Sequence, residues 1–107
     1  MKALSIKQPW ANMIAQGDKT IETRRWGTEY RGELLIVSAK SPRIEPAGYA
    51  LAIVNLIGCR LMTERDELEA CCRWQPGTFA WLLDDIRRVD PFPVRGQLGL
   101  FDVEVPQ

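Results

Sequence analysis

The stretch Ser5-Ile6-Lys7-Gln8-Pro9-Trp10-Ala11-Asn12-Met13-Ile14-Ala15-Gln16-Gly17-Asp18-Lys19-Thr20-Ile21-Glu22-Thr23-Arg24-Arg25-Trp26 changes its period twice, and those changes decide the fold. Up to Lys7 the chain alternates, with Leu4 and Ile6 on one side, as a short strand does. Gln8-Pro9-Trp10 then opens a helix, with proline at the first helical position, where its missing N–H is no loss. Trp10, Met13 and Ile14 recur at helical spacing and read as an apolar stripe, and Gly17 is a natural C-terminal cap. Lys19 to Trp26 returns to strand character through Thr20, Ile21 and Thr23.

Working outward, Glu33 to Ala39 is nearly all apolar and reads as a central strand. Ser41-Pro42 through Pro46-Ala47-Gly48 is a polar loop with two prolines and the segment expected to be most mobile. Tyr49 to Leu61 is a long β-branched run whose Gly58 marks a bulge or bend. Thr63 caps a second helix expected to reach about Arg73, before Pro76-Gly77. Phe79 to Ile86 and Leu98 to Val105 complete the strands. Five or six short strands and two short helices, in an order that is no βαβ repeat, predict an α+β fold around a small closed or partly closed barrel. All 107 residues are expected to form one domain.

Composition narrows the chemistry. The chain has no histidine, which removes imidazole acid–base catalysis, Ser-His-Asp and Cys-His pairs, and His-ligated zinc. Cys59, Cys71 and Cys72 form neither a disulfide framework nor a four-ligand metal site and fit a reducing cytoplasm. No apolar run is long enough for a membrane span, so no membrane is expected; by the histidine and cysteine counts no metal is expected, and no cofactor is expected either. Net charge is zero, but residues 1–43 hold eight basic and four acidic residues, against six and ten in 44–107. A neutral chain with one basic surface is compatible with a phosphate-bearing ligand.

On the Lys19–Trp26 strand, Thr20, Glu22, Arg24 and Trp26 share one face. Carboxylate, guanidinium and indole beside the Lys19 ammonium make a wall suited to a polar planar ligand; the alternative is a solvated face with an ordinary ion pair. Lys7, Gln8 and the start of the first helix are a second candidate, for an anion. By pattern Trp10 belongs to the core, while Trp26 and Trp81 cannot be told apart and Arg31 either extends the basic surface or turns the chain. Catalysis, lacking histidine, would fall to Lys19, Glu22 or a threonine hydroxyl. A neighbouring carboxylate favours the charged ammonium, which suits binding better than nucleophilic attack.

Ser5-Ile6-Lys7-Gln8-Pro9-Trp10-Ala11, Gly17-Asp18-Lys19-Thr20-Ile21-Glu22-Thr23-Arg24 with Trp26, and Arg31-Gly32-Glu33-Leu34 together resemble the ASCH (activating-signal-cointegrator homology) domain. The likeness continues through Leu56-Ile57-Gly58-Cys59 to Gly96-Gln97-Leu98-Gly99-Leu100-Phe101 and spans essentially the whole chain. It implies a PUA-like β-barrel with a cleft lined by Lys7, Gln8, Trp10, Lys19, Glu22 and Arg24, with Trp26 and Arg31 at the rim, and a partner that is RNA, DNA or a nucleotide. Some ASCH relatives are amidohydrolases acting on acetylated cytidine, and others are described as ribonucleases. The amidohydrolase type resembles K-T-x-T plus a glutamate from a later helix. Here Lys19-Thr20 is followed by Glu22 where the second threonine would stand, and Glu64, Glu67 or Glu69 is the candidate later acid. Nucleic-acid or nucleotide binding is therefore the first expectation, and a small hydrolase using Lys19 and Glu22 the second.

Overall fold

A computed structural model describes residues 1–106. Its elements run β1 (Lys2–Ile6), α1 (Trp10–Ala15), β2 (Ile21–Arg24), β3 (Gly32–Ser38), β4 (Tyr49–Leu61), a 3-10 turn (Glu64–Asp66) leading into α2 (Glu67–Ala70), β5 (Phe79–Pro93) and β6 (Leu100–Asp102). The six strands make one mixed sheet in the order β2-β5-β4-β3-β1-β6. Only β1 and β3 run parallel; every other pair is antiparallel. The α+β class with two short helices stands, as a sheet curled into a half-barrel.

The curl has a visible cause. The β4–β5 ladder shifts register at Ala50/Ala52, Ile53/Asn55 and Leu56/Gly58, and each extra residue bends and twists its strand. Gly58 sits at one shift, where a Cβ would come within 3.0 Å of the Leu82 side chain. Asp85, at φ 49°, stands on β5 opposite another.

Leu34 to Val37 of β3 have no exposed surface because both sheet faces are covered. Ala11, Ile14 and Ala15 of α1 pack with Leu4, Ile6, Leu34, Ile36 and Trp81 on one face. Ala3, Leu35, Val37, Val94 and Phe101 close the other. A third cluster of Ile21, Met62, Ala70 and Ala80 seats α2 against β2 and β5.

Several sequence expectations shift. The buried stripe of α1 is Ala11, Ile14 and Ala15, one residue round from the predicted one, so Trp10 is 38% exposed and lies outside the core. The second helix stops at Ala70, because Cys71 turns left-handed at φ 56° and closes the helix without a glycine. The strand expected to end at Ile86 continues to Pro93, while the last strand shrinks to Leu100–Asp102. The proline loop is tied down at its far end: Gln8 Nε2 donates to the Pro46 carbonyl at 2.9 Å and the Gly48 N–H to the Ser38 carbonyl at 2.9 Å.

Candidate functional site

β2 is one edge of the sheet and β1 lies next to the other, yet the curl brings them face to face. Between them opens a cleft of about 590 Å³, bounded by residues 5–7, Trp10, the β2 region, Ala39, Cys72 and the loop Gln97–Gly99. That is within the range usual for small-ligand sites. The seam is bridged by one side chain: Arg24 Nη2 donates to the Ser5 carbonyl at 2.8 Å.

The floor of the cleft is built by local backbone chemistry. After α1 the chain reverses at Gly17, whose φ of 87° only glycine adopts without strain. The Asp18 and Lys19 N–H groups both return to the Met13 carbonyl, at 2.9 and 3.1 Å, and this closure aims Lys19 inward. Lys19 is only 1% exposed, and its ammonium donates to the Ala70 carbonyl. Its Nζ also lies 3.9 Å from Glu22 Oε1. Glu22, 6% exposed, accepts from Arg24 Nε at 2.9 Å through its other oxygen. The carboxylate is thus held between two cations, and among the described residues no buried side-chain polar atom lacks a partner. Arg24 uses Nε and Nη2 in these bonds and keeps Nη1 without a partner among the described residues.

The rim is aromatic. Trp10 and Trp26 both line the cleft and each is 38% exposed. Trp81 distinguishes itself as core: it is fully buried opposite Glu22 in the ladder and donates its indole N–H to the Trp26 carbonyl at 3.2 Å. The two indole rings meet edge to face, with centroids 4.8 Å apart, which sets the Trp26 ring at the mouth. Lys7 and Arg25 complete the lining as exposed cations, so Lys7, Lys19, Arg24 and Arg25 face the single carboxylate of Glu22.

Of the predicted residues, the structure gathers Lys7, Trp10, Lys19, Glu22, Arg24 and Trp26 around one hollow. Two stand elsewhere. Gln8 is buried away from the cleft, where its amide bonds Asn12 on both sides at 2.9 Å and reaches the Pro46 carbonyl. Arg31 donates to the carbonyls of Thr28 and Tyr30 at 2.9 and 2.8 Å, making it the turn residue of the two readings. Glu64, Glu67 and Glu69 do not line the cleft either; Glu67 accepts from the Trp74 N–H at 2.7 Å. Sequence reasoning overlooked Arg25, Cys72 and the loop Gln97–Gly99, where Leu98 is 99% exposed at the mouth. An apolar side chain following a glycine-rich turn was the signal for Leu98; the Ser5 carbonyl left none.

A second arginine–carboxylate pair lies outside this cleft. Arg60 grips Asp66 with both nitrogens, at 2.7 and 2.9 Å, and the Thr63 N–H donates to the same carboxylate at 2.8 Å. The Arg60 hydrogen bonds, with those from Thr63 against the opposing effect of burial, hold the Asp66 carboxyl down at about 2 and push the Arg60 guanidinium up. Among the described residues no cluster of three or more His, Cys, Asp or Glu could hold a metal, and no helix is long and apolar enough to cross a membrane.

A mixed sheet curled into a half-barrel with two short helices is the PUA-like fold, and the chain belongs to the ASCH domain family, whose sequence profile matches residues 4–93. Among characterised proteins it is similar to activating signal cointegrator 1: 48% identical to the human protein over 55 residues (50% of this chain, 10% of that one), and 23% identical to the mouse protein over 127 aligned positions (94% of this chain, 22% of that one). The chain therefore spans a tenth to about a fifth of the length of these relatives. Among solved structures, the ASCH protein of Zymomonas mobilis superposes with a TM-score of 0.78 at 17% identity, covering 96% of this chain and 87% of the other. A single-substitution variant of that protein gives 0.75 at 16% identity, covering 96% and 89%.

Proposed function

We propose that the seam cleft binds a nucleobase-bearing ligand, a nucleotide or a stretch of RNA or DNA, and that residues 1–107 act as one ASCH domain for this purpose. One observation carries the reading: buried Lys19 and Glu22, with part-buried Arg24, lie beneath two half-exposed indoles in a single hollow. Glu22 and Arg24 offer an acceptor and a donor edge to a heterocycle, Trp10 and Trp26 offer stacking faces, and Lys7 and Arg25 stand where phosphate would lie. Relationship to a coactivator with an ASCH domain supports the reading. The three unpaired cysteines favour a cytoplasmic setting.

The test is a titration of labelled RNA and DNA oligonucleotides at increasing salt. Log affinity is expected to fall linearly with log salt, with a slope of about 0.7 per phosphate contacted. Absent or salt-insensitive binding overturns the proposal. Hydrolysis of an acylated nucleoside is the weaker reading. Lys19 is buried with its ammonium held by the Ala70 carbonyl and Glu22, an arrangement that favours a fixed donor over a nucleophile. Acetylcytidine should therefore survive incubation with the protein; turnover that disappears in Lys19→Ala reverses the order of the two readings.

A further inference from the structure

On the other side of the cleft wall lies a second hollow, of about 640 Å³, lined by Lys40, Arg43 and Arg95 with the half-exposed ring of Tyr49 and no carboxylate. The two hollows abut through consecutive chain. Ala39 lines the cleft and Lys40 the second hollow, while Gln97 lines the cleft and Arg95 the second hollow. Arg43 is paired with Glu45 at 3.2 Å, but Lys40 and Arg95 have no ion-pair partner among the described residues. Lys40 is placed rather than trailing: its stem lies across Gly48, where a Cβ would come within 2.9 Å of Lys40 Cε. Gly48 in turn is tied to Ser38 and Val94 at 2.9 and 3.0 Å.

Unpaired cations gathered beside an already cationic cleft make one continuous surface of positive potential, which draws an anion long enough to cover both. A mononucleotide fills one hollow and leaves the other uncovered. The hollow beside α2 makes a contrast, because there Arg60 and Arg65 are matched by Glu64 and Asp66. We infer that the ligand of the cleft is a single strand whose sugar-phosphate backbone crosses the wall at Ala39 and Gln97, with phosphates on Lys40 and Arg95 and a base on Tyr49. This rests on the nucleic-acid reading of the cleft and adds to it the polymer class of the ligand and the direction it takes.

Labelled oligouridylates of about two, four and eight nucleotides, with uridine monophosphate as a competitor, test it against the unsubstituted chain and the Lys40→Gln/Arg95→Gln double variant. Both residues are exposed, so the fold should persist. Affinity is expected to rise with length. The double variant should lose that rise, lower the salt slope by about 0.7 per contact removed, and bind the monophosphate unchanged. Monophosphate binding with no gain from length, or a gain that the double variant keeps, overturns the inference and leaves the cleft reading standing. No binding of any probe by the unsubstituted chain removes both.

Discussion

Two arginine–carboxylate pairs of this chain, Arg60 with Asp66 and Arg24 with Glu22, are built from the same groups around a buried carboxylate and differ in what they leave over. Around Asp66 the account is closed: both arginine nitrogens, the Thr63 N–H and the Thr63 hydroxyl converge on one carboxylate, and the result is a pinned helix start. Around Glu22 the carboxylate is divided between Lys19 and Arg24, and Arg24 is divided again between Glu22 and the opposite strand, with one nitrogen free in a hollow. A saturated pair pins the fold; an unsaturated one, buried at its base and open at its tip, leaves a donor facing the cleft.

Breaking the second arrangement should have the largest effect. Glu22→Ala leaves the Lys19 ammonium buried without a counter-charge, and a loss of about 3–5 kcal/mol in urea-denaturation stability is expected. Gln8→Ala sharpens the contrast from the structural side. It removes a buried amide that joins α1 to the proline loop, so about 1–3 kcal/mol of stability should go while oligonucleotide affinity is kept. Trp10→Ala should do the reverse, lowering affinity by about 1–3 kcal/mol with a smaller change in the melting curve, because the ring is 38% exposed at the rim.

A last effect concerns acid. Asp66 has a folded pKa of about 2 against an ordinary 3.8, so the unfolded chain takes up its proton first. The stability it contributes is complete above about 4 and lost as pH falls toward 2. Asp66→Asn should therefore flatten the stability–pH curve in that window, as denaturation series at several pH values would record.

How much of this was legible follows from how local each cause is. The apolar runs of β3 and β4 are visible because each strand's burial is written into consecutive residues, and the Glu22–Arg24 row because strand alternation is strictly local. The second half of β5, past Ile86, was hidden: Val89 and Phe92, the apolar residues that pack against the core there, stand three apart among charged residues and show no strand alternation. Trp10 misled because the helix stripe that packs is made of alanines and one isoleucine, and small residues carry a weak periodic signal. Gln8 and Arg31 sat within motifs that point at the cleft, but their side chains satisfy backbone carbonyls nearby, and only three-dimensional closure decides that. The partnership of Lys40 with Arg95 joins residues 55 positions apart and has no local trace.

The half-open sheet carries one further consequence. β2 pairs with β5 as far as Leu82 and the Leu83 N–H reaches the Thr20 carbonyl at 3.0 Å, so among the described residues the outer edge of β5 has no strand beside it from Asp84 to Pro93. A bare strand of that length would template other chains into fibrils. Its acids and arginines, the left-handed kink at Asp85, and Pro91 and Pro93 near its end each frustrate such recruitment. Failure to close the barrel opens a cleft at one rim and demands protection against aggregation at the other.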